Sequence, residues 1–133
     1  MTSPTRIQRR RTKGWRLPDN AVIVSRPSRF GNPFTFDTAY ELGWARHGDT
    51  ETARQAVAGA FQEWLSGNHS MWGCEEGDTA RQRILDDLHL LRGKNLACTC
   101  PLPEPGQPDH CHAAVLLERA NRPQPAMTEG PAL

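Results

Sequence analysis

Apolar residues recur along this chain with two different spacings. Over residues 50–66 (TETARQAVAGAFQEWLS), Ala56, Val57, Ala60, Phe61, Trp64 and Leu65 fall on one helical face. That period predicts an amphipathic helix packed on a core. Asp49 or Thr50 suits its start, and Gly67 suits its end. A second helix is predicted over 79–91, with Asp78 as cap and Gly93 as stop. Ile84, Leu85, Leu88 and Leu91 would face inward. Residues 68–77 between the two read as a loop. A third helix starts near Cys111 and runs to Asn121, burying Ala114, Val115, Leu117 and either Leu116 or Ala120.

Two short runs lack the helical period. Residues 21–25 (AVIVS) are compact and β-branched, and read as a buried strand; residues 95–100 (NLACTC) read as another. A short extended piece around 6–8 is a further candidate. Residues 26–34 (RPSRFGNPF) hold two prolines, a glycine and an asparagine, and residues 101–109 hold four prolines and a glycine. Both are loops for that reason. Strands interleaved with helices predict an α/β fold, a small, mainly parallel sheet packed by about three helices. The length of 133 residues suits one domain, placed over 21–121. A basic arm over 1–20 precedes it, and a Pro-rich, disordered tail over 122–133 follows.

Charge changes this picture. The formal net charge is +1, but residues 1–30 hold eight Arg or Lys against Asp19 alone, and the remainder is net −6. A basic end of this kind meets nucleic acid, a phosphorylated small molecule or the chain's own acidic part, or stays solvated. No apolar run is long enough to span a bilayer, and none follows the first basic residues as a secretory signal would. A cytoplasmic protein with reduced thiols is expected. Three of the four cysteines, Cys98, Cys100 and Cys111, gather in one region. In a reducing compartment such a group is metal-binding or reactive rather than a disulfide framework.

The loop 26–34 follows a predicted strand, where ligands bind in open α/β sheets. It offers the guanidinium groups of Arg26 and Arg29, the Ser28 hydroxyl, the close-approach backbone of Gly31 and the Asn32 amide as ligand-binding groups. Arginine forks suit phosphate or carboxylate. Neither a Walker loop nor a dinucleotide fingerprint is present. The alternative is a tight loop held by Pro27, Pro33 and an Asn32 side-chain turn.

The cluster 98–112 has three readings. Cys98, Cys100, Cys111 and His112 match the ligand types of a Cys₃His zinc site, which makes zinc a candidate cofactor. Alternatively Cys98 or Cys100 acts as a thiolate nucleophile, with His112 as acid or base at a helix start that favours its neutral form. The cysteines can also be small core residues, and His112 a cap. Trp15 in the basic arm can stack on a base or pack on the sheet. Trp44, His47, Trp72, Cys74, Glu75 and Glu76 fall in predicted loops without a spacing that specifies chemistry.

The segments RRTKGWRLP, VSRPSRFGNPF, FQEWL, LRGKNLACTCPLP and CHAAVLLERAN, in this order, resemble the family known as domain of unknown function 4326, found in bacteria and their phages. The resemblance covers residues 9–121. It implies one domain across that span and supports a binding role for the loop 26–34.

The first functional expectation is therefore a pocket for a phosphorylated or nucleotide-like small molecule, built from the loop 26–34 and the segment 98–112. Glycosidic-bond or group-transfer chemistry is the candidate reaction. The alternative is a non-catalytic nucleic-acid-binding module with a basic N-terminal region and a structural zinc cluster.

Overall fold

The computed structural model describes residues 3–122. The tail expected to be disordered falls, from residue 123 onward, outside the described residues.

Three parallel strands form one sheet: β1 (Arg6–Gln8), β2 (Ala21–Ile23) and β3 (Asn95–Cys98), in the order β1-β3-β2. Arg6 pairs with Leu96 and Gln8 with Cys98 on one side of β3. Ala21 pairs with Asn95 and Ile23 with Ala97 on the other. Two further bonds extend the ladders, from Arg9 N to the Cys98 carbonyl at 2.8 Å and from Val24 N to the Ala97 carbonyl at 2.9 Å. All three strands thus leave the sheet at one edge. β3 is central, and its Leu96, Ala97 and Cys98 are buried, as suits a parallel strand covered by neighbours. β1 lies within the segment read as a basic arm, so that segment supplies an edge of the sheet.

Helix α1 (Phe36–Glu41) has no counterpart in the sequence reading. It has six residues and buries only Ala39, too little to display a period. Its signal is a cap: Thr35 Oγ1 accepts from Thr38 N at 3.2 Å. Helix α2 (Thr50–Leu65) lies where the apolar spacing placed it. Asp49 caps it through Thr52 N at 3.1 Å, and Val57, Ala60, Phe61, Trp64 and Leu65 are buried. Ala56 is half-buried.

Helix α3 (Glu75–Asp87) starts four residues earlier than expected and continues as a 3₁₀ turn over Leu88–Leu91. Glu75, Glu76 and Asp78 fill its first turn, where acids favour the positive end of the helix. Gly77 lies under Trp72. A Cβ there would sit 2.4 Å from the Trp72 carbonyl oxygen, so this turn closes only around glycine. Ile84 and Leu91 are buried as expected, whereas Leu85 and Leu88 are half-buried beside the change to 3₁₀ geometry. Helix α4 (His112–Ala120) buries Ala113, Leu116 and Ala120; Ala114, Val115 and Leu117 are half-buried.

One apolar cluster joins these layers. Phe34 meets Trp64 edge-on at 5.8 Å between ring centres, and Phe61 lies 5.9 Å from Trp64. α4 packs on β3, β1 and α2. Among the described residues no helix is long and apolar enough to cross a membrane.

Phe61 is fully buried and touches both Trp64 and His112. Phe61→Ala is expected to lower the unfolding free energy in urea by about 3–5 kcal/mol, a transfer and cavity cost. Leu42→Ala, at an exposed position, should stay within about 0.5 kcal/mol of the parent. Equal small losses for both would contradict this account of the core.

Candidate functional site

The shared edge of the strands is where a ligand crevice forms in parallel α/β sheets. β1 runs on into Arg9, β2 into Ser25 and Arg26, and β3 into Thr99 and Cys100. These residues, the start of α4 and one face of α2 enclose a cavity of about 350 Å³. That volume lies near the low end for small-molecule pockets, roughly 300–1,000 Å³. Arg9, Arg11, Arg26 and Arg54 line it together with Cys98, Cys100, Cys111, His110 and His112. The loop 26–34 and the segment 98–112 therefore meet, although more than sixty positions separate them in sequence.

The four guanidinium groups are not equivalent. Arg54 is paired with Glu51 at 2.7 Å. Arg9 Nη1 lies 3.3 Å from Ser25 Oγ, and Arg26 Nη1 donates to the Asn32 carbonyl at 2.5 Å. Among the described residues, Arg9, Arg11 and Arg26 have no carboxylate partner.

The loop divides its residues between the cavity and its own support. Arg26 and Asn32 line the cavity. Asn32 also braces the loop: its Nδ2 donates to the Val57 carbonyl at 3.0 Å, and its Oδ1 accepts from Phe34 N at 2.9 Å. Ser28, Arg29 and Gly31 lie outside the lining. Ser28 Oγ accepts from Phe30 N at 3.1 Å. Arg29 pairs with Asp87 at 3.0 Å and sits over the Phe30 ring. Gly31 passes so close to Arg26 that a Cβ would lie 2.8 Å from Arg26 Cγ.

The three cysteines converge. Their sulfurs all lie within 4.8 Å of one another, with Cys98 and Cys100 at 3.9 Å, and this set is placed to hold a metal. Cys111 is the N-cap of α4, and its sulfur accepts from Ala113 N at 3.4 Å. Hydrogen bonds from Cys100 and Cys111 lower the Cys98 pKa, whereas the same bonds to Cys100 and Cys98, with burial, raise Cys111. At Cys100 the bond with Cys111 lowers the pKa, but the bond with Cys98 and burial outweigh it. The three thiols therefore share hydrogen bonds that support a negative charge within the cluster.

His112 stands beside this set and not within it. Its Nε2 lies 2.8 Å from the Val24 carbonyl, which can only accept, so Nε2 carries the proton. Nδ1 faces Cys111 Sγ at 3.9 Å, and the ring meets Phe61 edge-on at 5.3 Å. Of the other residues considered from sequence, Trp72 packs at 5.8 Å from Trp64. Cys74, Glu75 and Glu76 sit exposed at the start of α3, away from the cavity.

Arg6 has no distinguishing mark in the sequence, yet it holds the site together. Its side chain is buried and forks onto Asp109, with Nε to Oδ2 and Nη2 to Oδ1 both at 2.8 Å. It also donates to the carbonyls of Cys100 and Pro101, each at 2.7 Å. Burial works against its charge, but the bond to Asp109 and the nearby thiols Cys111 and Cys100 more than offset this and raise its pKa. Arg9, Arg11 and Arg54 were likewise missed. A signal for Arg9 existed: it follows a strand as Arg26 does.

These features define a small parallel α/β domain with a ligand-sized cavity at the carboxyl edge of its sheet, walled by arginines and thiols. The chain belongs to the family described as Domain of unknown function (DUF4326), which matches residues 7–122. That span begins inside β1 and includes the cavity. No curated protein and no solved structure matches the chain.

Arg6→Ala leaves Asp109 and two carbonyls without their partner. It should cost roughly 3 kcal/mol of stability, and Arg6→Lys should not restore it, because an ammonium lacks the fork. Chemical denaturation measures the loss. Limited proteolysis should show earlier cleavage within residues 101–109, and an unchanged cleavage pattern would count against the clamp.

Proposed function

We propose that this domain binds a phosphorylated, nucleotide-like small molecule at the carboxyl edge of its sheet. One observation carries the reading: three arginines with no carboxylate partner among the described residues, Arg9, Arg11 and Arg26, reach a single cavity of about 350 Å³. Forked guanidinium donors suit a phosphate, and Phe36 and Val57 give the same cavity an apolar wall for a sugar or base. Cys98, Cys100 and Cys111 add a soft donor set suited to zinc. Group-transfer or glycosidic-bond chemistry at that anion would draw on Cys98 or Cys100 as nucleophile, with His112 as acid or base through Nδ1, the nitrogen that its Nε2 bond to Val24 leaves free. Free thiols of this kind suit the cytoplasm.

The distribution of the basic residues favours a pocket over a nucleic-acid surface. Of the eight Arg and Lys in residues 1–30, Arg6 is buried against Asp109 and Arg29 is paired with Asp87. Arg9, Arg11 and Arg26 turn to the cavity. Arg10, Lys13 and Arg16 are left for an open face.

Calorimetric titration with AMP and with inorganic phosphate tests the reading. Both should bind. Arg9→Ala and Arg26→Ala should each weaken AMP at least about tenfold, the loss of a charged hydrogen bond. Lys13→Ala should leave it unchanged. Steep loss of binding to a short DNA with rising salt, together with silence toward AMP, would favour the nucleic-acid module instead.

A further inference from the structure

We propose that Cys98, Cys100 and Cys111 bind one zinc ion as thiolates and leave its fourth position open to the arginine-lined cavity, where an oxygen of the bound phosphate fills it. The inference rests on the phosphate-pocket reading and adds a metal to the same site.

The spacing of the sulfurs comes first. Zinc–sulfur bonds of about 2.3 Å in a tetrahedron put the sulfurs roughly 3.8 Å apart. Cys98 and Cys100 are 3.9 Å apart, and all three sulfurs lie within 4.8 Å of one another. Small side-chain shifts close the set.

The frame is rigid as well. Cys98 ends the central strand, Cys111 is the helix cap, and Arg6 holds the Cys100 carbonyl at 2.7 Å. Charge balances too. Three thiolates and one divalent ion carry a net charge of −1, and the buried Arg6 guanidinium lies beside them. The Ala113 N–H already points at Cys111 Sγ, as a donor to a metal-bound thiolate would.

The fourth ligand decides the kind of site. A closed Cys₃His centre would use Nδ1 of His112, the nitrogen left unprotonated when Nε2 donates to Val24. Nδ1 lies 3.9 Å from Cys111 Sγ but outside the 4.8 Å set, so it does not reach all three sulfurs together. Among the described residues no other Cys, His, Asp or Glu joins the set. All three cysteines line the cavity that Arg9 and Arg26 also line. Three protein ligands with a vacant position facing a pocket is the arrangement of a zinc site that takes an exogenous ligand. His112 is then a positioning residue, locking the start of α4 against β2 through Val24.

Cobalt titration of the full, reduced, metal-stripped chain tests this. Wild type should take up one equivalent and show thiolate-to-cobalt charge-transfer bands with tetrahedral visible bands. Cys100→Ser, at the half-buried position, should lose most of that absorption. His112→Ala, with folding checked by circular dichroism, should keep it. Inorganic phosphate should shift the visible bands in wild type and not in Arg26→Ala. Absence of the thiolate bands in folded wild type would overturn the site, and their loss in folded His112→Ala would overturn the open position. Phosphate heat without thiolate bands overturns the metal alone. Thiolate bands without phosphate heat overturn the phosphate pocket, and with it the occupant of the fourth position.

Discussion

The site depends on one buried side chain. Arg6 enters from the edge strand β1, crosses to the far end of the central strand, and bonds to the carbonyls of Cys100 and Pro101 and to both oxygens of Asp109. The loop 101–109 is rich in proline and makes little secondary structure of its own. Without a fixed point at each end it would not deliver Cys111 to the same place as Cys98. A guanidinium suits this task because its planar fork satisfies a carboxylate and two carbonyls together, and because its charge survives burial beside an acid and thiols. The clamp and the thiol cluster are coupled: Arg6 favours negative charge on the sulfurs, and the sulfurs favour positive charge on Arg6.

Parallel pairing supplies the second constraint. With β3 central and both neighbours parallel to it, three chain segments must emerge side by side. Each brings a polar residue, Arg9, Ser25 or Thr99, to a place where the sheet offers no further backbone partner. The start of α4 closes the same space with Cys111 and His112, and α2 supplies the wall. A concentration of positive charge at that edge follows from topology rather than from clustering along the chain.

How much of this was legible follows from which interactions are local. α2 was readable because its period persists over four turns between good caps, and β2 and β3 because compact apolar runs bounded by breakers have few other uses. α1 was not, since one buried alanine shows no period. The start of α3 was misplaced because Asp78 resembles a cap, while Glu75 and Glu76 are polar residues that a helix also tolerates in its first turn. In the site, Arg26, Asn32 and the three cysteines were visible as types in a suggestive order. Arg26 and Arg29 could not be told apart in sequence. Only the fold brings Asp87 to Arg29, fifty-eight positions away, and leaves Arg26 at the cavity. The bond from His112 to Val24, which fixes the ring's tautomer, spans eighty-eight positions and could not be read from sequence. The extended piece at 6–8 was a candidate, but Arg6 and Arg9 were hidden by their surroundings, since a basic residue in such a run reads as solvated until the fold brings it a partner such as Asp109.

The convergence of these groups on one cavity is tested most directly by amide chemical-shift mapping of the full chain during titration with AMP. The account predicts that the largest shifts fall on Arg9, Ser25, Arg26, Thr99 and His112, while Lys13, Arg16 and the exposed face of α3 stay still. Shifts confined to residues 10–16, or gathered on α3, would contradict it.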